Sequence, residues 1–286
     1  MTVFITPHEL HALQSQNPHC HVWDVRFDLS QPSAGRQKYL QGHIPGAIYV
    51  SLDDELSAHT AETPRMNAGR HPMPTREAFA QTLGRLGLTP DMPVVVYDQN
   101  LPHTPGRAWW MLQWLGHTAV YVLDGGLDAW TAQGFALTDA ATQAKPRADY
   151  PIAAPRLSDW VGIDALRAQL GQPTQTVIDA RALARFKGDI EPLDPVAGHI
   201  PGAISQPYTE HFDAQGRILD ANTLRTRWSE RLAGHAPESW VHQCGSGVSA
   251  TANMLALVAA GLPPGRLYAG SWSEWCRTDG TPIARG

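Results

Sequence analysis

A six-residue block, Gly-His-Ile-Pro-Gly-Ala, occurs twice without change in this chain, at residues 42–47 and again at 198–203. Three further blocks repeat around it in the same order. His21-Val-Trp-Asp24-Val-Arg26 is answered by Val177-Ile-Asp179-Ala-Arg181, Pro93–Asp98 by Ser239–Cys244, and Asp124–Trp130 by Ala269–Trp275. Four blocks in one order mark a duplication, so each copy must fold on the same plan. The chain has 286 residues, enough for two domains of about 150 residues that each bury a core.

Within each copy a short β-branched run ends in Asp-x-Arg, as a buried strand followed by a turn would. The Gly-His-Ile-Pro-Gly-Ala block then reads as a turn, because Pro and Gly interrupt both helix and ladder. Thr75 ahead of Arg76-Glu77-Ala78 is a capped helix start. Val94–Tyr97 is short and wholly apolar, as a central parallel strand is. Helices are expected over Gly106–Leu115 and Gly247–Ala260, and strands over Ala119–Leu123 and Arg266–Tyr268. Strands alternating with helices predict an α/β fold, each domain a mostly parallel sheet flanked by helices. Residues 140–155 are rich in Ala and Pro without apolar period. They read as a linker between an N-terminal domain, 1–139, and a C-terminal domain, 156–286.

Composition excludes several classes. Lys and Arg number 22 against 27 Asp and Glu, a net charge of −5, which argues against a nucleic-acid binder. The longest apolar run, near Met254–Gly261, is far short of the ~20 residues of a membrane span. Met1–Glu9 lacks the basic and apolar regions of a signal peptide, so the expected location is the cytoplasm. Cys20, Cys244 and Cys276 form neither a disulfide framework nor a metal-binding spacing.

In an open α/β sheet, ligands bind beyond the carboxyl ends of the strands. There the second copy reads Cys244-Gly-Ser-Gly-Val-Ser-Ala250, running into a helix. Two glycines let successive N–H groups turn inward, and such a nest before a helix stabilises an anion such as a thiolate or a persulfide. Cys20 and Cys276 have no such context and read as small, partly apolar side chains. The first copy carries Asp98 in place of the cysteine. A carboxylate there serves as a helix cap and accepts no sulfur.

The loop resembles the active-site loop of the two-domain rhodanese superfamily, in its 3-mercaptopyruvate sulfurtransferase branch, where the pattern is Cys-Gly-Ser-Gly-Val-Thr-Ala. One residue departs, Ser249 for Thr, and it keeps the hydroxyl. The resemblance extends over the chain through the paired Gly-His-Ile-Pro-Gly and Asp-x-Arg segments and the two tryptophan-containing blocks. It implies tandem rhodanese-like domains, the N-terminal one catalytically silent. It implies a sulfurtransferase in which Cys244 takes sulfane sulfur from 3-mercaptopyruvate, releases pyruvate, and passes the sulfur to cyanide, a thiol or a thioredoxin-like protein. No metal or organic cofactor is required.

The same resemblance assigns site residues. Gly245, Gly247, Val248 and Ser249 form the substrate-facing loop. Arg185, ahead of Phe186, would hold the substrate carboxylate with its planar fork, whereas Arg181 reads as the structural partner of an acidic neighbour. The branch carries a second substrate arginine nine or ten residues after the first. This chain has Glu191-Pro192-Leu193-Asp194 there, leaving Lys187 or Arg107 as substitutes. Ser246, His71 and Asp53 match a proposed Ser–His–Asp proton relay, although Asp54 and Glu55 would serve in place of Asp53. His43 and His199 occur in both copies and read as structural. Thiosulfate remains the alternative donor, but it favours cations beside the cysteine, and Gly245-Ser246-Gly247 offers none. A phosphatase would need an arginine closing a longer loop, where this chain has Ala250. A non-catalytic sulfur carrier is the remaining rival, and the intact Cys244 loop argues against it.

Overall fold

The computed structural model describes residues 3–58, 67–157 and 160–286. Its strands are β1 Phe4–Ile5, β2 His21–Asp24, β3 Ala47–Tyr49, β4 Val94–Tyr97, β5 Val120–Leu123, β6 Thr176–Asp179, β7 Ile204–Ser205, β8 Trp240–Gln243 and β9 Arg266–Leu267. They pair in parallel into two sheets, ordered β1-β5-β4-β2-β3 and β7-β6-β8-β9. The helices are α1 Pro7–Gln16, α2 Ala34–Gln41, α3 Arg76–Arg85, α4 His103–Trp114, α5 Gly126–Ala132, α6 Ile163–Ala168, α7 Leu183–Lys187, α8 Ala221–Arg231, α9 Ala250–Ala259 and α10 Ser271–Trp275. The central strands β4 and β8 are buried along their whole length, as expected of strands covered on both faces.

The repeated blocks have a repeated physical job. Arg26 closes a fork on Asp24 and donates from Nη2 to the Gly42 carbonyl at 2.8 Å. Arg181 does the same with Asp179 and the Gly198 carbonyl, also at 2.8 Å. Each pair ties the end of a central strand to the start of its Gly-His-Ile-Pro-Gly turn, and burial makes the pairing obligatory. His43 stacks on Tyr39, and its Nδ1 meets the Tyr39 carbonyl. His199 repeats this with Phe186. The structural readings of Arg181, His43 and His199 agree with this geometry.

Thr75 caps α3 by accepting from the Ala78 amide. Residues 147–156 run along the first domain, with amides donating to carbonyls of Gly84, Ala80, Leu115 and Gln113. The domain limits 1–139 and 156–286 remain a proposal. The two domains share one core, in which Trp109, Met111 and Leu112 of α4 pack with Met254 and Leu255 of α9. A side chain at Gly106 would lie 2.7 Å from Thr251 Oγ1, so this glycine sets how closely α4 approaches α9. Among the described residues no helix is long and apolar enough to cross a membrane.

Candidate active site

Cys244 follows β8 directly and is almost wholly buried. The sequence places the helix start at Gly247, but α9 begins at Ala250. Gly247 has φ +74°, and a Cβ there would sit 2.2 Å from the Ala269 carbonyl oxygen. Only glycine accepts that backbone, and it holds residues 244–249 out of the helix. Two of the loop carbonyls are engaged by amides of α10. Trp272 donates to the Cys244 carbonyl and Ser273 to that of Gly245, at 3.0 and 2.8 Å. The Cys244 amide in turn donates to Ser271 Oγ at 3.0 Å. Ser271 has φ +54°, the one non-glycine with positive φ among the described residues, a strained position beside Cys244. Among the described residues the amides of 245–249 have no acceptor, as an anion nest requires.

The loop opens on a cavity of about 170 Å³ between the domains, a size suited to a small acid rather than a drug-sized ligand. Phe27 and Leu52 of the first domain form its apolar wall, and Arg70, His71, Arg185 and Cys244 its chemical one. His71 Nδ1 lies 2.8 Å from Ser246 Oγ, and its Nε2 lies 3.6 Å from Asp53 Oδ1. The first is a hydrogen bond; the second is an ion-pair distance. Glu55 instead accepts from the Ser51 amide at 2.7 Å.

Family comparison accords with this geometry. The rhodanese-like domain model matches residues 6–133 and 163–278. The chain belongs to the rhodanese family. A Pseudomonas aeruginosa protein named "Probable 3-mercaptopyruvate sulfurtransferase" is 44% identical, over 99% of this chain and 98% of its own. A Mycobacterium tuberculosis protein provisionally named thiosulfate sulfurtransferase SseB is 39% identical, over 99% and 97%. The crystal structure of the 3-mercaptopyruvate sulfotransferase SseA from Escherichia coli superposes with a TM-score of 0.78 at 31% identity. It covers 96% of this chain and 100% of that one.

Within this member of the rhodanese family the remaining site residues fall differently from expectation. Arg185 lines the cavity, yet its Nε and Nη2 are bonded to Glu191, with Nη2 also 3.4 Å from Asp194. Nη1 is the nitrogen left facing Gly245, 3.4 Å from where its Cβ would be. Arg185 therefore offers one nitrogen to a substrate instead of a whole fork. Neither expected substitute lines the cavity. Arg107 is fully buried and donates to backbone carbonyls of Leu56, His71 and Gly247. Burial pushes its pKa down to about 10, against the opposing pull of Cys244. It is a clamp on the loop and on the His71 segment.

Sequence reasoning missed Arg70, which adjoins His71 and reaches the cavity. The signal was an acid, Asp194, where the branch carries an arginine. Burial raises the Asp194 pKa, but bonds from Arg70 and Arg277 outweigh it and hold the carboxyl below its ordinary value. The N-terminal domain also departs from the cap assigned to Asp98. Its Oδ1 accepts from the Gln99 amide at 2.7 Å, and α4 starts at His103 without a side-chain cap. His103 Nε2 stands 3.6 Å from Asp98 Oδ2. Burial raises the Asp98 pKa, with His103 opposing. The carboxylate is turned to the Gln99 amide and the His103 ring, so no backbone amide of the first turn of α4 bonds to it.

Proposed function

We propose that this chain transfers sulfane sulfur from 3-mercaptopyruvate through a Cys244 persulfide to cyanide, a small thiol or a thioredoxin-like protein. The Cys244 thiolate attacks the substrate sulfur; an S–S bond forms and the C–S bond breaks. The electron pair passes into the enolate of pyruvate, and the former thiol proton ends on its methyl carbon. Ser246 and His71 carry that proton, with Asp53 facing the far side of the ring. The amides of 245–249 hold the anionic persulfide. An acceptor then attacks the outer sulfur and returns Cys244 to thiolate.

The observation that carries the choice of donor is the 2.8 Å contact between His71 and Ser246 beside the nucleophile. A thiol donor brings a proton that must move and yields an enolate that must gain one. Thiosulfate has neither need. The thiosulfate reading draws support from two guanidiniums at the cavity, which restore the cations the loop lacks, and from the mycobacterial relative's name. Steady-state kinetics with both donors decides between them. Higher kcat/KM for pyruvate release than for sulfite release supports the proposal, and the reverse order overturns it. A non-catalytic carrier would turn over neither donor. The described cysteines are all free thiols, which suits reaction in the reducing cytoplasm.

A further inference from the structure

The substrate's carboxylate needs a bidentate partner, and Arg185 has only Nη1 to give. The other cation at the cavity is Arg70, from the first domain. Its Nη1 and Nη2 rest on Asp194 at 3.0 and 3.2 Å, and its buried Nε has no partner. Arg70 Nη2 and Arg185 Nη1 each stand 3.4 Å from the place a Gly245 side chain would begin. The two guanidiniums thus flank the residue after the nucleophile, and the absent side chain leaves the space between them open. Asp194 bridges the pair, its Oδ2 being 3.4 Å from Arg185 Nη2.

The charges around this space do not cancel. Arg70, Arg185 and Arg277 converge on Glu191 and Asp194, and Arg181 joins Glu191 to Asp179, so four guanidiniums meet three carboxylates and one positive charge is left over. A monoanion would neutralise it. Arg70 is held in place from the opposite domain: its own amide donates to Ser273 Oγ at 3.0 Å, and the Ala68 amide to Glu274 at 2.7 Å. Both acceptors lie on α10, the helix that also fixes the Cys244 loop carbonyls.

We infer that Arg70 is a substrate-binding residue, supplying from the catalytically silent domain the second guanidinium that, with Arg185, grips the donor's carboxylate. The inference rests on the sulfurtransferase reading for the identity of the donor, but the anion site itself can be tested without it. Two alkylating reagents of similar size serve as probes: iodoacetate, which carries a carboxylate, and iodoacetamide, which does not. Mass spectrometry of the Cys244 peptide gives both rates at one pH.

Arg70→Met is expected to lower the iodoacetate rate about tenfold relative to the iodoacetamide rate, and to raise KM for 3-mercaptopyruvate about tenfold while kcat changes less than about threefold. Arg70→Lys should recover part of both effects, since it keeps the charge and loses the fork. An unchanged alkylation ratio in Arg70→Met overturns the inference. So does an equal fall in both rates, which would mean that the residue only holds the loop in shape. Failure of the donor reading is separate: the wild-type protein would release no pyruvate, and the alkylation ratio alone would then decide for or against the anion site.

Discussion

His71 and Ser246 meet at 2.8 Å across the domain boundary, the imidazole from the N-terminal domain and the hydroxyl from the Cys244 loop. Arg107 fixes the same two segments from behind, donating to the His71 carbonyl at 3.3 Å and the Gly247 carbonyl at 3.2 Å. The first domain carries Asp98 where the second carries Cys244, and in the proposed reaction it supplies the proton carrier and one wall of the cavity. The proposed reaction thus draws on both domains.

Ser246 and His71 should behave as one unit in catalysis. Ser246→Ala and His71→Gln are each expected to lower kcat for pyruvate release by about 10²-fold, and the double variant by no more than the worse single. Steady-state kinetics on the three variants checks this. Multiplicative losses would mean that the two residues act independently.

Cys244→Ser should abolish transfer from every donor, because an oxygen nucleophile cannot carry a transferable sulfane sulfur. Cys20→Ser and Cys276→Ser should keep most activity, both thiols being only half-buried and away from the cavity. Burial pushes the Cys20 thiol up to about 12, so it stays protonated and unreactive near neutrality. Intact-mass detection of the persulfide after donor addition reads all three variants directly.

The two loop glycines should fail in different ways. Gly247→Ala forces a left-handed backbone on a residue with a Cβ and drives that Cβ into the Ala269 carbonyl at 2.2 Å. A loss of about 2–4 kcal/mol in stability and of nearly all activity is expected. Gly245 has no positive φ, and its Cβ would meet only the two guanidinium ends at 3.4 Å. Gly245→Ala should therefore fold normally, within about 1 kcal/mol of wild type, and raise KM. Thermal unfolding beside donor kinetics separates the two outcomes.

Local signals made much of this site legible. The duplicated turn and the Asp-x-Arg pairs can be read from sequence because each contact spans few residues, and the Cys244 loop because Gly-x-Gly before a helix has a local purpose. Arg70 was hidden because its partner Asp194 lies 124 positions away, and the two meet only through contacts between domains such as those of the Ala68 and Arg70 amides with α10. The start of α9 was misplaced for a related reason. Whether Gly247 is helical depends on the Ala269 backbone, which no nearby sequence reveals. Asp98 reads as a cap by its place ahead of a helix, but its carboxylate is taken by the adjacent Gln99 amide, a choice of rotamer that the sequence does not reveal.

Acid should unfold the protein through histidines that stay neutral inside the second domain. Burial pushes His242 and His211 down to about 3, and their mutual repulsion adds to this for His242. In the unfolded chain each titrates near the ordinary value of about 6.5. Between pH 6.5 and 3 the unfolded state therefore binds protons that the native state refuses, and stability rises with pH across that window. Above about pH 7 neither group contributes to the slope. At pH 5 one such histidine costs at most about 2 kcal/mol relative to pH 7. His242→Leu should flatten the dependence by up to that amount, since leucine suits a fully buried strand position beside Trp228. Urea unfolding of both proteins at pH 7 and pH 5 measures the difference. If His242→Leu loses as much stability on acidification as the wild type, His242 is not the source of the acid sensitivity, and His211 becomes the next residue to replace.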